Sequence, residues 1–309
     1  MKTKNLIILS CLCLSPLTGF SAEIDAFSKR FEPLEDSLVK VNQLTNRLLQ
    51  ESLDEVNSKR DGCDQKHLYK SLRKRFNNQY QGELAKEIIN SDEYPKIKIP
   101  SKESIYQDFK WYEAIVQGGT SRISDPIADQ MKINGILVGT DKFEHFMGSG
   151  YKYFNEFRLE KHSVEEALQI GWKAETGILG AVTTGVMSYA DLTANFNGMR
   201  FWNHMLQLRP DILGDNHGPY ISCQDNQFVQ VKKIDFRHYI DESMDESINC
   251  SKFARKKSAK KFLKRVEALG YSCPMDPDKL EMMKEKYGEF SKWIINDEGV
   301  EDVSYFNEF

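Results

Sequence analysis

Between residues 33 and 58 the apolar side chains fall at Leu34, Leu38, Val41, Leu44, Leu48, Leu49, Leu53 and Val56. Steps of three and four residues put them on one face of a helix with 3.6 residues per turn. Pro33 suits the first turn, where its missing N–H is no loss, and Gly62 ends the pattern. The same period returns at Leu68, Leu72 and Phe76, over 83–89, and at Ile105, Phe109, Tyr112 and Val116 up to Gly118-Gly119. A chain patterned this way is expected to be mainly α, a multi-helix globular protein. One exception is 131–138, where Asn134-Gly135 separates Met-Lys-Ile from Ile-Leu-Val and signals a small β-hairpin.

Capping residues place further helices. Thr140 can cap one running from Asp141 to about 160. Ser163 with Glu166 forms a capping box, and Ser188 can cap a helix from Tyr189 to Leu208 that Pro210 closes. A helix over 251–269 would carry Ala254, Ser258, Phe262, Val266 and Leu269 on its apolar face and end at Gly270, and a last helix covers 278–294. Residues 211–223 are rich in Gly, Asp and Pro, and 228–236 reads as a strand pair or extended arm, so the C-terminal third is expected to be irregular. The stretch 94–100 is extended by its two prolines and is the best candidate linker. These boundaries divide the chain into 23–95, 101–210 and 211–309, with 23–309 expected to fold as one compact unit.

Residues 1–22 read as a secretory signal peptide. Lys2 and Lys4 precede a short apolar run over 6–14, and Gly19, Ser21 and Ala22 supply small residues for cleavage near Ala22. A looser lipoprotein reading would use Cys11. The least polar later stretch, 171–187, carries Lys173 and Glu175 and is too short and too charged to span a bilayer. With 28% charged residues and a mean hydropathy of −0.54, a polytopic membrane protein is excluded. A periplasmic or secreted location follows. Cys63, Cys223, Cys250 and Cys273 remain beyond the leader, and an oxidising compartment would pair them as two disulfides. A helix over 251–269 would hold Cys250 and Cys273 about 28 Å apart, too far for a bond that needs Cα atoms about 4.4–6.8 Å apart. That leaves Cys223–Cys250 with Cys63–Cys273, the favoured arrangement, or Cys63–Cys250 with Cys223–Cys273.

The chemistry-bearing residues gather in the centre. Asp141 and His145 are four apart and share a helix face, and Asp191 and Asn195 repeat the spacing on another helix. Glu175 sits among Gly, Ala, Ile, Leu, Val and Thr, where an unpaired carboxylate is costly. Gly171, Gly177, Gly180 and Gly185 would let helix backbones approach. Asp141, His145, Glu175 and Asp191 could act catalytically, with a carboxylate fixing the tautomer of an imidazole base, or could ligate a divalent ion. The structural alternative is a buried ion-pair network in which Lys142 or Lys173 neutralises Glu175 and Asp191 caps or bonds the backbone. The patterns H-E-x-x-H, G-x-S-x-G and the P-loop do not occur. No cofactor or substrate is named by the sequence, and the metal, if any, is unspecified.

The run Asp141-Lys142-Phe143-Glu144-His145-Phe146 resembles the D-K-x-x-H-F signature of VanZ-like and related small bacterial envelope proteins. In that family the motif opens an apolar helix, a later helix carries an acidic residue among small ones, and a further helix carries an Asp. Glu175 and Asp191 follow that order. The resemblance covers 139–202 and implies an envelope location rather than a reaction. Those proteins are embedded in the membrane, whereas this chain has no such span after its leader.

A basic run, Lys252, Arg255, Lys256, Lys257, Lys260, Lys261, Lys264 and Arg265, contains no acid. Through Lys252, Lys256, Lys260 and Lys264 it could meet an anionic envelope surface; nucleic acid is not expected as a partner of an exported protein. The plainer reading is a solvated face neutralised by Asp241, Glu242, Asp245 and Glu246. Trp111, Tyr112, Tyr151, Tyr153, Phe154, Phe157, Phe201 and Trp202 are expected in the core, with a ligand-stacking wall as the alternative. His204 and His217 could reach the central cleft but are read as satisfied or exposed side chains, and His67, His162 and His238 have no partner at informative spacing. The expected function is therefore an exported envelope protein in a structural or binding role. The alternative is a periplasmic hydrolase using the Asp/His/Glu/Asp set.

Overall fold

A computed structural model describes residues 23–59, 62–78, 80–110, 113, 127–158, 162–176 and 185–303. The expected leader, Trp111, Tyr112, Val116, Gly118-Gly119, Gly177 and Gly180 lie outside them. The first strand, β1 (Glu23–Ile24), pairs in parallel with β2 (Ile127–Ala128). Helix α1 (Leu38–Lys59) buries Val41, Leu44, Leu48, Leu49, Leu53 and Val56 as its stripe requires. It starts later than Pro33 because Asp36 is held elsewhere. Its backbone bridges to Lys132, and its carboxylate accepts the N–H groups of Leu38, Asn134 and Gly135. Helices α2 (Gln65–Arg75), capped by Asp64, and α3 (Glu83–Asn90) then form where expected.

Residues 94–100 are extended but do not hang free: Ile97 bridges to Gln130, and Tyr94, Ile97 and Ile99 are buried. Residues 101–108 are turns rather than the expected helix. The Asp25 carboxylate takes the N–H of Ile105, and the Ser104 hydroxyl accepts from Tyr106, so local side-chain bonds displace the helical ladder. The predicted hairpin is present as β3 (Gln130–Ile133) and β4 (Ile136–Gly139), turning through Asn134 and Gly135 at φ 55° and 80°.

The helix after Thr140 is one run in three parts. It comprises α4 (Lys142–Glu144), a π-helical turn over His145–Ser149, and α5 (Gly150–Phe157). Asp141, not Thr140, occupies its N-cap, in helical geometry and with no side-chain cap bond. A π turn loosens the regular ladder. The carbonyl of Met147 is taken by the indole N–H of Trp202 at 3.0 Å. Helix α6 (Val164–Thr176) opens on the expected capping box, with Ser163 and Glu166 bonding each other's backbone at 2.8 and 3.2 Å. After β5 (Val186–Met187) comes α7 (Tyr189–His204), capped by Ser188 and buried along all of its residues. It ends before the expected Leu208.

Helix α7 is the axis of the molecule, with α5, the π turn, α6 and the C-terminal elements packed round it. A helix buried on every side needs small residues where neighbours cross. A Cβ on Gly198 would lie 2.0 Å from the carbonyl oxygen of Phe146, and one on Gly150 would lie 2.6 Å from the Gly198 Cα. Gly198→Ala is therefore expected to cost about 3 kcal/mol through overpacking, read as a lower denaturant midpoint. An unchanged midpoint would contradict the crossing. Tyr153, Phe154, Phe157, Phe201 and Trp202 are core residues, with Tyr151 packed against them.

The C-terminal third combines turns and short 3-10 segments over much of 205–220 and 231–251 with several regular elements. Strands β6 (Ile221–Gln224) and β7 (Gln227–Gln230) form a second hairpin that turns through Asp225-Asn226, both at positive φ. Strand β8 (Lys252–Phe253) pairs with β5, so α8 (Lys256–Ala268) begins five residues later than predicted and ends before Gly270. The last predicted helix is split into α9 (Pro277–Tyr287) and α10 (Ser291–Ile294) at Gly288, where φ is 51°. A second apolar cluster lies under α8, where Phe253 and Phe262 meet Phe27, Tyr106 and Phe109.

The disulfides correct the sequence expectation. Cys63 bonds to Cys223, and Cys250 bonds to Cys273, with Cα separations of 5.9 and 6.0 Å. A wide separation of Cys250 and Cys273 requires a helix from 251. With the chain extended instead, the six steps from Cys250 to the start of α8 cover about 20 Å, the length of a 13-residue helix, which lets Cys250 lie level with the far end of α8.

Candidate functional site

The start of α4, the end of α6 and the first turn of α7 converge, and with them all four residues singled out from the sequence. Asp191 stands at the centre. Its Oδ1 lies 2.6 Å from Lys142 Nζ, and its Oδ2 lies 3.2 Å from His145 Nε2. Lys142 Nζ also reaches Asp141 Oδ2 at 2.8 Å and Glu246 Oε1 at 2.7 Å. Glu175, His145 and Asp191 each offer one donor atom, and these atoms lie within 4.8 Å of one another. Asp141, Asp191 and Glu246 make a similar trio, but the Lys142 ammonium sits among them.

Ser188 ties the cluster together. Its hydroxyl accepts the Asp191 N–H at 3.2 Å and donates to Glu246 at 2.9 Å. His145 Nδ1 lies 3.3 Å from the side-chain oxygen of Asn195, whose amide nitrogen donates to the Tyr153 hydroxyl at 3.4 Å. Gly171 leaves room for that hydroxyl, which a Cβ there would meet at 1.4 Å. This stripe of small residues thus admits a side chain at Gly171 rather than a second backbone.

The cluster is closed off from water. Asp141, Lys142, Glu175, Asp191 and Glu246 are each at most 4% exposed, and only the His145 side chain, at 13%, reaches outward. Burial pushes the Asp141 carboxyl up to about 6 and the Glu246 carboxyl to about 7, although Lys142 opposes both shifts. Burial also raises Glu175 well above the usual range, with the charges of Asp191 and Glu23 adding to it. Burial alone would lower Lys142, but Asp141, Asp191 and Glu246 outweigh it and hold the ammonium well above its ordinary value. An ammonium with three carboxylates within hydrogen-bond distance is the arrangement that makes a buried charge tolerable.

Lys142 therefore neutralises Asp141, Asp191 and Glu246, not Glu175 as the network reading supposed, and Lys173 is exposed. Glu246 was missed as a member of the site. It lies in an acidic run that reads as compensation for a helix dipole, and only the fold brings it beside Lys142. Its companions are spent elsewhere: Asp245 on Arg30, Glu242 on Lys279, and Asp241 on Lys286 and the Tyr287 hydroxyl.

His204 does not join the cluster. It sits about 20 Å along α7 from Asp191, fully buried between the Tyr239 hydroxyl and Asp211, each 2.7 Å away. Asp211 also accepts Arg200 Nε at 3.0 Å, and the Tyr220 and Tyr239 hydroxyls meet at 2.7 Å. His217 and His238 stack with ring centroids 3.8 Å apart, a pairing that sequence spacing did not show. Burial, with His238 adding to it, lowers His217 to about 4. His67 meets Asp64 at 2.7 Å, and His162 lies 3.4 Å from Glu156.

The basic face needs one correction. Lys252 is buried, with Nζ bonded to Glu298 and 3.4 Å from Asp302. Lys261 pairs with Glu113, and Arg265 with Asp108. Lys256, Lys257, Lys260 and Lys264 are exposed, and among the described residues no carboxylate lies within ion-pair distance of them. The described helices include none long and apolar enough to cross a membrane. No family model matches this chain, and neither a curated protein nor a solved structure matches it.

Proposed function

We propose that this chain is an exported, non-catalytic envelope protein that holds to an anionic surface through the exposed lysines of α8, with the Lys142 cluster bracing the fold behind it. The observation that carries the reading is the state of the acidic run 241–246. Its four carboxylates are engaged with Lys286, Lys279, Arg30 and Lys142, which leaves Lys256, Lys257, Lys260 and Lys264 without an ion pair among the described residues; Glu113 and Asp108 act on Lys257 and Lys264 only at longer range. Such a face attracts phosphate-bearing surfaces at about 1 kcal/mol per lysine. The two disulfides suit an oxidising compartment, and the D-K-x-x-H-F run resembles envelope proteins.

Sedimentation with phospholipid vesicles tests this. The protein is expected to pellet with vesicles rich in phosphatidylglycerol at low salt and to stay in solution with pure phosphatidylcholine. The triple variant Lys256→Glu, Lys260→Glu, Lys264→Glu should lose at least about tenfold in binding, and raising salt to about 0.5 M should do the same to the parent chain. Equal recovery with both vesicle types would overturn the reading.

A hydrolase at Asp141, His145, Glu175 and Asp191 is the second reading. The 3.2 Å contact between His145 and Asp191 favours it, because a carboxylate there can orient an imidazole base. The closed setting weighs against it: Asp141 and Asp191 are bound to Lys142, and His145 alone reaches outward.

A further inference from the structure

Lys142 bonds one side of the buried cluster, and His145, Glu175 and Asp191 gather on the other. The Asn195 amide nitrogen donates to the Tyr153 hydroxyl, so its oxygen faces His145. His145 Nδ1 is then the protonated nitrogen and donates to that oxygen. Nε2, the nitrogen left for a proton or a metal, lies 3.2 Å from Asp191 Oδ2, so whichever of the two occupies it is shared with that carboxylate. Glu175 adds a further carboxylate to the same space, and Glu23 is buried close enough to raise its proton affinity.

The geometry suits an ion. Three ligand atoms each held at about 2.0–2.2 Å from one metal lie about 3.3–3.8 Å apart. The donor atoms of His145, Glu175 and Asp191 lie within 4.8 Å of one another, so closing on an ion takes side-chain shifts of about 1 Å. The supports for such ligands are in place. Asn195 fixes the tautomer of the imidazole, and Lys142 anchors the opposite oxygen of Asp191. The neighbouring acidic trio already holds a cation, because the Lys142 ammonium lies 2.6–2.8 Å from all three of its carboxylates.

We propose that His145, Glu175 and Asp191 form a binding site for one divalent first-row transition ion, with Asn195 and Lys142 as positioning residues. One imidazole with two carboxylates suits Zn2+ or Mn2+, whereas Mg2+ and Ca2+ favour all-oxygen sets. The bound ion would join the start of the π turn, the end of α6 and the first turn of α7, and bring a positive charge into direct contact with Glu175, on which Lys142 acts only from a distance.

The test uses the full oxidised chain, stripped with chelator and titrated calorimetrically with Zn2+, Mn2+ and Mg2+. The expected result is one Zn2+ or Mn2+ per chain with a raised melting temperature, and no saturable uptake of Mg2+ over the same range. His145→Ala and Glu175→Gln should each weaken binding at least about 100-fold, while His67→Ala and His238→Ala leave it unchanged. Should the site variants fail to fold, X-ray absorption on the Zn2+-loaded parent chain decides the matter. One imidazole nitrogen with carboxylate oxygens supports the site, and sulfur or several imidazoles overturn it. The absence of saturable binding by both transition ions overturns it as well, as does full stoichiometry in both site variants.

Discussion

Lys142→Met is expected to destabilise the protein by about 3–5 kcal/mol at pH 8, the cost of leaving buried carboxylates without their cation. The methionine fills most of the lysine's volume, so the loss reads charge rather than packing. Its pH dependence identifies the mechanism. Asp141 and Glu246 have folded-state values raised to about 6 and 7, above the ordinary 3.8 and 4.5, and Glu175 is raised further. The folded state therefore binds protons more tightly than the unfolded state. The stability this provides is fully present below the ordinary values and is lost as pH rises through 6 and 7. Removing the lysine raises these carboxyls further, so the deficit of the variant should shrink between pH 8 and pH 5. For the parent chain in chelator these carboxyls favour pH 5 over pH 8, while His217, held at about 4, opposes them as pH falls below 6.5. Below that, groups such as Glu55 act the other way: bonded by Lys59 and Lys74 and held at about 2, it gives up its contribution as pH falls from 4.5 toward 2. Denaturant titrations at pH 5 and pH 8 read both effects. A deficit that is the same at the two pH values, or smaller than about 1 kcal/mol, would show that Lys142 is not the keystone of the cluster.

Replacing Cys63 and Cys223 together by serine is expected to cost about 4–5 kcal/mol, more than any other pair. That bond closes a loop across 160 positions, and constraint of the unfolded chain grows with loop length. The pair Cys250 and Cys273, 23 positions apart, should cost about 3 kcal/mol by the same relation. Peptide mapping without reductant fixes the pairing, and denaturation of the two double variants reads the order. A larger loss at Cys250 and Cys273 would contradict loop closure as the source.

What the sequence made legible follows the range over which its signals act. The hairpin at Asn134-Gly135, the Ser163–Glu166 capping box, the Ser188 cap and the stripe of α1 are written within a few residues, and each is where the spacing put it. The convergence of His145, Glu175 and Asp191 was also readable, because a carboxylate in the apolar setting of Glu175 demands company. The failures came where a distant group took over a local bond. Asp25 claims the Ile105 N–H and undoes a helix, and β5 claims 252–253 and delays α8, which in turn reverses the disulfide argument. Glu246 and the stacked pair His217 and His238 had no periodic signal, since tertiary folding alone makes them neighbours. The π turn at His145–Ser149 was equally invisible, because the heptad-like spacing on either side of it reads as unbroken helix.

The asparagines of α1 carry a consequence for the order of assembly. Asn42, Asn46 and Asn57 accept the backbone N–H groups of Phe236, Ile234 and Phe228, and Arg30 meets Asp245. Every one of these partners is made at least 171 positions after the group that waits for it. A chain delivered from its N-terminus onward can pack α2 and α3 on its first helix early, but must leave these polar groups unmatched until most of its length has emerged. Its rate of maturation should therefore be set by late, long-range closure rather than by helix formation. The first helix is the segment on which a holding chaperone would have longest to act.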